Sequence, residues 1–257
     1  MKLLFDIGNT RLKWAWWDQT LQSGGARVHA GHSPQAVLEA LELERKPAEL
    51  WVASVAAPAL HAAIEGWAQT RWGLVPHWVS SGAAACGVRN AYAQPARLGV
   101  DRWLAMIAAY RRARGAVFVV DAGTALTIDV VGAGGQHCGG LIAPGLATQR
   151  QSLRQVTQVR AGDPAQAPGW LGIDTDTAVS WGTLHGVLGL IDRVLAGIRR
   201  EHAAITPFIT GGDAAALQPL LAGEWLLAPD LVLEGLACVA SESKGSWGPH
   251  DSRGRPP

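Results

Sequence analysis

Two stretches decide the reading of this chain: KLLFDIGNTRLKWAWW (residues 2–17) and AVFVVDAGTALTIDVV (residues 116–131). Each opens with an apolar run that reads as a buried strand, over 2–7 and 116–121. Each then reaches an aspartate and a glycine-containing turn, and continues as an alternating strand, over 10–17 and 124–131. Asp6-Ile-Gly8-Asn-Thr and Asp121-Ala-Gly123-Thr-Ala lie 115 residues apart. One such pair could arise by chance. The matching context on both sides points instead to an internal duplication, with halves over 1–114 and 115–241.

The rest of the chain fits that scheme. A third strand is expected over 26–30, and Ser33-Pro34 opens a helix over 34–44. A strand over 49–55, a helix over 58–72 and a short strand over 75–79 follow. An irregular Gly/Ala/Pro stretch, 80–99, leads to a strong helix over 101–113. In the second half, a Gly-rich turn at 132–135 precedes a strand ending near Ile142. Helices are expected over 146–157, 175–201, 213–221 and 230–241, and strands over 205–210 and 224–227. The polar, Gly- and Pro-rich residues 242–257 are expected to form a disordered tail.

Composition narrows the function classes. With 48% hydrophobic and 17% charged residues, the 257-residue chain can build a real core, which excludes global disorder. A net charge of +1 removes the electrostatic case for a non-specific nucleic-acid binder, and no direct nucleic-acid binding is expected. Three widely spaced cysteines without a CxxC suggest neither a disulfide framework nor a zinc ribbon. Asp6 arrives before a signal-type apolar region forms, and no apolar run approaches the ~20 residues of a bilayer span. A cytoplasmic protein without membrane association is the expectation. Twelve tryptophans read mainly as composition bias, with Trp14, Trp16 and Trp17 available for packing or an interface.

Several short motifs can carry chemistry. In the octet Asp6-Ile7-Gly8-Asn9-Thr10-Arg11-Leu12-Lys13, a strand delivers a carboxylate to the mouth of a turn. Gly8 lets backbone N–H groups approach an anion, Asn9 and Thr10 add neutral donors, and Lys13 can meet a phosphate. A carboxylate beside phosphate donors makes sense if Mg²⁺ lies between them. Alone, the octet is also what an ordinary hairpin turn looks like. The second copy, Asp121 to Thr124, strengthens the phosphate reading, because two such turns facing one another could clamp a polyphosphate and its cations. Gly99-Val100-Asp101-Arg102 leads a helix. There Asp101 is either an N-cap or a base, and Arg102 a ligand for an anionic or hydroxyl-rich substrate. Tyr92 is a core tyrosine or a lid contact. Gly139 to Leu146 and Thr210-Gly-Gly-Asp213 are strand-to-helix loops suited to close backbone approach. The eight histidines form no ligand pattern and read as structural or surface residues. Neither a GxSxG elbow nor a GxxxxGK[ST] loop occurs.

DIGNTRLK, LGVDRW, DAGTALTID, GGLIAPGL and FITGGD occur in the order and rough spacing of type III pantothenate kinases, a family also labelled Bvg accessory factor. The resemblance covers about residues 2–240. It implies an α/β fold of duplicated ribonuclease H-like halves, of the actin, hexokinase and Hsp70 ATPase type, with a cleft between them. It implies transfer of the ATP γ-phosphoryl group to the 4′-hydroxyl of pantothenate, the first step of coenzyme A synthesis. A homodimer is implied, working with Mg²⁺ and a monovalent cation, K⁺ or NH₄⁺. On this resemblance residues 6–13 and Thr124 bind ATP, with Asp6 near Mg²⁺. Asp101 is the catalytic base, and Asp121 the monovalent-cation ligand. Tyr92, Gly99, Val100, Asp101 and Arg102 match pantothenate-site positions. Gly172-Ile-Asp-Thr175-Asp-Thr-Ala178 resembles the family's GxxTxxA, so Thr175 is the expected substrate contact, with Thr177 the alternative. Thr157-Gln-Val-Arg160 departs from the Ala-x-Leu-Pro segment of many members. The alternatives are another kinase or a phosphatase on the same fold, and a regulatory accessory protein.

Overall fold

The computed structural model describes residues 1–43, 45–157, 169–202 and 204–242. Strands β1 (Lys2–Ile7), β2 (Arg11–Asp18) and β3 (Thr20–Val28) form an antiparallel meander. Helix α1 (Pro34–Glu39) leads to β4 (Glu49–Ser54), which pairs parallel with the far side of β1. Helix α2 (Pro58–Trp72) leads to β5 (His77–Val79), parallel to β4. A small hairpin, β6 (Ala84–Ala85) and β7 (Val88–Arg89), precedes α3 (Val100–Ala113).

The plan then repeats. Strands β8 (Ala116–Ala122), β9 (Ala125–Val131) and β10 (His137–Pro144) form the second meander. Helices α4 (Leu146–Val156) and α5 (Thr175–Ile198) lead to β11 (Ile205–Thr210), parallel to β8. Helix α6 (Ala214–Leu217), β12 (Leu226–Leu227) and α7 (Leu231–Glu242) complete it. The sheet orders are β3-β2-β1-β4-β5 and β10-β9-β8-β11-β12, one order used twice.

The two-residue period of the strands explains the layers and the site together. In β1, Leu3, Phe5 and Ile7 enter an outer core with Leu38, Leu60 and Ile64 of the α1 and α2 region. Leu4 points the other way, into a central core with Trp103 and Leu104 of α3 and Leu231 and Leu236 of α7. In β8, Val117 and Val119 share that central core, whereas Phe118 and Val120 pack outward with Val187 and Ile191 of α5. Helices α3 and α7 therefore lie between the sheets, crossing where a side chain at Gly235 would collide with the Leu104 backbone. Asp6 has the parity of Leu4, and Asp121 that of Val117 and Val119. Both carboxylates emerge on the central face, at the C-terminal ends of their strands.

Four element expectations need correction. The third strand covers Thr20–Val28 rather than 26–30, after a tight turn at Gln19 with φ 66°. Gly24 and Gly25, which resemble a loop, lie within the strand because Trp14 packs across them at the register shift between Ala15 and Trp16. Helix α1 has its Ser33 cap but ends at Glu39, because Leu41 and Leu43, two residues apart, both turn into the outer core. The helix expected over 213–221 is one short turn followed by a 3-10 turn over Gln218–Leu220. Glu242 closes α7 rather than opening the tail. Residues 158–160 of the departing segment, and the expected tail from 243 on, lie outside the described residues.

Candidate active site

The two Asp-Gly turns meet. Thr10 Oγ1 and Thr124 Oγ1 are 3.0 Å apart, one from each half. They line a cleft of about 440 Å³ whose wall includes Asp6, Lys13, Asp101 and Asp121. Gly8, Asn9, Thr10 and Arg11 form one lip, and Gly123 and Thr124 the other. Gly211, Gly212 and Asp213 close one end, and Thr148 and Gln151 of α4 line the wall. Ile7 and Leu12 are fully buried with side chains in the outer core, so their part in an ATP site is confined to backbone.

Each turn is braced from outside. His29 Nε2 lies 2.8 Å from the Gly8 carbonyl, and the His29 N–H donates to the Thr10 carbonyl at 2.9 Å. On the second turn, Gly145 N–H and the Thr148 hydroxyl both donate to the Thr124 carbonyl, at 3.1 and 2.6 Å. Gly145 is required there, because a side chain would fall on the Gly123 carbonyl. Gly211, at φ +98°, lies equally close to Ala122 and the Asp121 carboxylate. The PGL and TGGD motifs thus serve first to grip the second turn.

The electrostatics follow from crowding carboxylates at the base of the cleft. Burial pushes the Asp6 carboxyl up to about 7, with Asp121 and Asp101 adding repulsion and Lys13 opposing it. Burial also raises Asp121 to about 6, and Asp101 adds to that shift. Asp101 is raised by burial against the opposing pull of Arg102. Such a cluster, with hydroxyls and backbone groups around it, is a hard-oxygen environment that favours a cation. Among the described residues, no three His, Cys, Asp or Glu side chains converge to hold a metal by themselves. The site therefore fits an ion that completes its shell with phosphate oxygens and water.

Asp101 is not the helix N-cap. Gly99 holds that position, and Asp101 projects from the first turn of α3 with Oδ1 accepting the Arg102 N–H at 2.8 Å. A side chain at Gly99 would crowd that carboxylate. Val100 is buried in the central core. Arg102 is buried and, unlike Asp101, is not among the residues that line the cleft. Its Nε and Nη2 donate to Asp129 at 2.8 and 2.6 Å, and its Nη1 donates to the Tyr92 hydroxyl at 3.1 Å. Asp129 and His137, the latter 3.1 Å from Asp129 Oδ1, form a buried cluster with Arg102 that the motifs do not show. The available signal was an aspartate inside an apolar strand, since a buried charge needs a partner. Thr175 is not brought to the cleft. It lines a separate hollow with Leu153, Ala178 and Val179, while the Thr177 hydroxyl is engaged with Asp174 in the α5 capping box.

The chain is similar to known proteins over nearly its whole length. A family model described as type III pantothenate kinase matches residues 2–197. A type III pantothenate kinase from Nitrosococcus oceani is 38% identical over 252 residues, covering 95% of each chain. One from Alkalilimnicola ehrlichii is 41% identical over 248 residues, covering 94% of this chain and 98% of its own. A Campylobacter jejuni structure, described as a Baf family transcriptional activator, is similar with a TM-score of 0.62 at 21% identity, covering 95% of this chain and 100% of that one. A Sinorhizobium meliloti structure, described as a 2-dehydro-3-deoxygalactonokinase, has a TM-score of 0.52 at 11% identity, covering 96% and 100%. These two likenesses concern the fold alone, which is the expected α/β architecture of duplicated ribonuclease H-like halves. By its family match and its relatives over nearly the whole length, the chain belongs to the type III pantothenate kinase family.

Proposed function

We propose that the chain transfers the γ-phosphoryl group of ATP to the 4′-hydroxyl of pantothenate, as a cytoplasmic enzyme opening coenzyme A synthesis. The observation that carries this reading is the meeting of two Asp-bearing turns, with Thr10 and Thr124 3.0 Å apart, in a cleft that Asp101 also lines. In this reading residues 6–13 hold the phosphates, with Lys13 and Arg11 as cations and the Gly8–Thr10 turn as backbone and hydroxyl donors. Thr124 contacts the nucleotide from the opposite lip. Asp6 would stand next to Mg²⁺, and Asp121 would hold K⁺ or NH₄⁺. Bound with ATP, such cations neutralise charge on the phosphate oxygens.

Asp101 acts on the acceptor. The pantothenate oxygen forms a bond to the γ-phosphorus as the bond to the ADP oxygen breaks, and the hydroxyl proton passes to the Asp101 carboxylate late in transfer. A loose transition state asks little of the base beyond position. Arg102, Tyr92 and the backbone of Gly99 and Val100 hold the acceptor. The enzyme works as a homodimer, and Thr175, which lines a hollow other than this cleft, is the substrate contact that the family motif implies.

The test is a coupled ADP-release assay with MgATP and KCl, with and without pantothenate. Pantothenate-dependent ADP release, lost when Na⁺ replaces K⁺, is the expected result. Pantothenate-independent phosphate release would favour a phosphatase on this fold. No turnover in either case would favour the regulatory reading.

A further inference from the structure

Arg102 has five N–H donors, and three of them are committed within the protein: two to Asp129 and one to Tyr92. Arg102 and Asp129 are both buried, at 6% and 2% exposure, so their pairing is a bidentate contact shielded from water. Asp129 Oδ1 also faces His137 Nε2 at 3.1 Å. A carboxylate only accepts, so His137 Nε2 carries the proton. Its Nδ1 then accepts from the Ala91 N–H at 3.4 Å. The tautomer is thereby assigned by both neighbours. The His137 ring stacks on Tyr92, with centroids 6.1 Å apart and planes 14° from parallel, and the Tyr92 hydroxyl returns to Arg102. The result is a closed loop of contacts joining α3, β9, β10 and the loop at 91–92. Gly140 on β10 leaves room for it, since a side chain there would collide with Asp129 and Arg102.

We propose that Asp129 and His137 are positioning residues for the acceptor side of the reaction. They act through Arg102 and Tyr92, and through the first turn of α3 that carries Asp101. The proposal rests on the pantothenate kinase reading and deepens it. Asp129 holds the guanidinium by two donors, and together with Tyr92 it leaves two of the five N–H groups for other partners. His137 prevents the carboxylate from rotating and supports the Tyr92 ring. Neither residue lines the cleft where the two Asp-bearing turns meet, nor do Arg102 and Tyr92, whereas Asp101 does, so the loop should govern acceptor use far more than nucleotide use.

The experiment compares the KM for pantothenate and for ATP, and kcat, in wild type, Asp129→Asn, His137→Phe and His137→Gln. Asparagine turns an N–H₂ toward one Arg102 donor and frees the guanidinium. Phenylalanine keeps the stack on Tyr92 but has no donor, whereas glutamine restores an N–H near the Nε2 position. Asp129→Asn should raise the KM for pantothenate by roughly 10- to 100-fold, with a fall in kcat and less than about a three-fold change in the KM for ATP. His137→Phe should have a smaller effect of the same kind, and His137→Gln should recover most of it. If Asp129→Asn fails to fold, the two His137 variants decide. Equal changes in both KM values, no change at all, or no recovery by glutamine would overturn the proposal. A wild-type enzyme that ignores pantothenate would instead overturn the function on which it rests, before any variant is made.

Discussion

The two turns have one architecture and different charges. In the first hairpin Asp6 stands directly across the strand pair from Lys13. In the second, the residue across from Asp121 is Thr127. The first turn places Gly8, Asn9 and Thr10 between its strands, and the second only Gly123 and Thr124. The first half therefore carries its own cation beside its carboxylate, and the second lacks a built-in counterion at that position. A duplicated fold proposed to clamp one polyphosphate need not use its halves alike. The half with Lys13 is suited to meet phosphate charge directly. The half with Asp121 is suited to meet it through a bound cation, and this asymmetry is what the proposed monovalent-cation site explains.

The largest effect should come from the residue belonging to neither turn. Asp101→Asn keeps the shape of the α3 first turn and removes the proposed proton acceptor. We expect kcat to fall by roughly 10²–10⁴-fold with the KM for ATP nearly unchanged, as measured in steady-state kinetics. Near-normal kcat would remove Asp101 from the chemistry and leave only the two turns to account for turnover.

The asymmetry itself is tested by moving its charges. Lys13→Met should raise the KM for ATP by roughly 10- to 100-fold, the scale of a lost charge-assisted contact. Asp121→Asn should abolish stimulation by K⁺, whereas Thr127→Lys, which gives the second turn the missing cation, should make residual activity indifferent to K⁺. Unchanged K⁺ dependence in both variants would place the cation elsewhere and make the difference between the turns incidental.

The fold was legible because its signals are local. KLLFDI and AVFVVD are apolar runs that end at a turn, which marks them as buried strands; the two-residue period then sorts their side chains between two cores in the structure and points Asp6 and Asp121 into the cleft. The turn motifs were legible because glycine and aspartate at a strand end are conspicuous. The missed features depend on contacts across the chain. Asp129 reaches Arg102 from 27 residues away, and nothing near His137 in sequence shows that it is buried against that pair rather than at the surface. Gly24 and Gly25 resemble a loop until Trp14 is seen packing across them. Thr175 matches a substrate motif by spacing, yet spacing says nothing about whether its own chain brings it to the cleft.

The buried carboxylates also set a pH dependence, and here too the halves differ. Asp6 is raised from 3.8 to about 7, Asp121 from 3.8 to about 6. A carboxyl whose folded pKa lies above its unfolded one contributes stability that is full below the unfolded value and lost as pH rises through the folded value. The ligand-free protein should therefore lose thermal stability between about pH 4 and pH 8, with bound cations offsetting the loss. Asp6→Asn should raise the ligand-free Tm by about 5 °C at pH 8, with the gain shrinking toward pH 4. Asp121→Asn should behave alike with a smaller gain, since its shift is smaller. Thermal scans at both pH values check the sign and the order; a destabilised Asp6→Asn at pH 8 would mean that Lys13 outweighs burial.

The smallest effects should separate the braces of the two turns. His29 supports the first turn through the Gly8 carbonyl, and Thr148 supports the second through the Thr124 carbonyl. Each brace is one hydrogen bond to a neutral group, worth about 1 kcal/mol or roughly a five-fold change in an equilibrium constant. His29→Ala should therefore raise the KM for ATP by a few-fold without altering the response to K⁺. Thr148→Val keeps the side-chain volume and removes the donor, loosening the turn that carries Asp121's neighbours. It should raise the K⁺ concentration needed for half-maximal activity by a similar few-fold, with the smaller effect on ATP. If the two substitutions instead gave the same pair of changes, the Thr10–Thr124 contact would be coupling the turns into a single rigid unit, and the division of charge between the halves would have no counterpart in their mechanics.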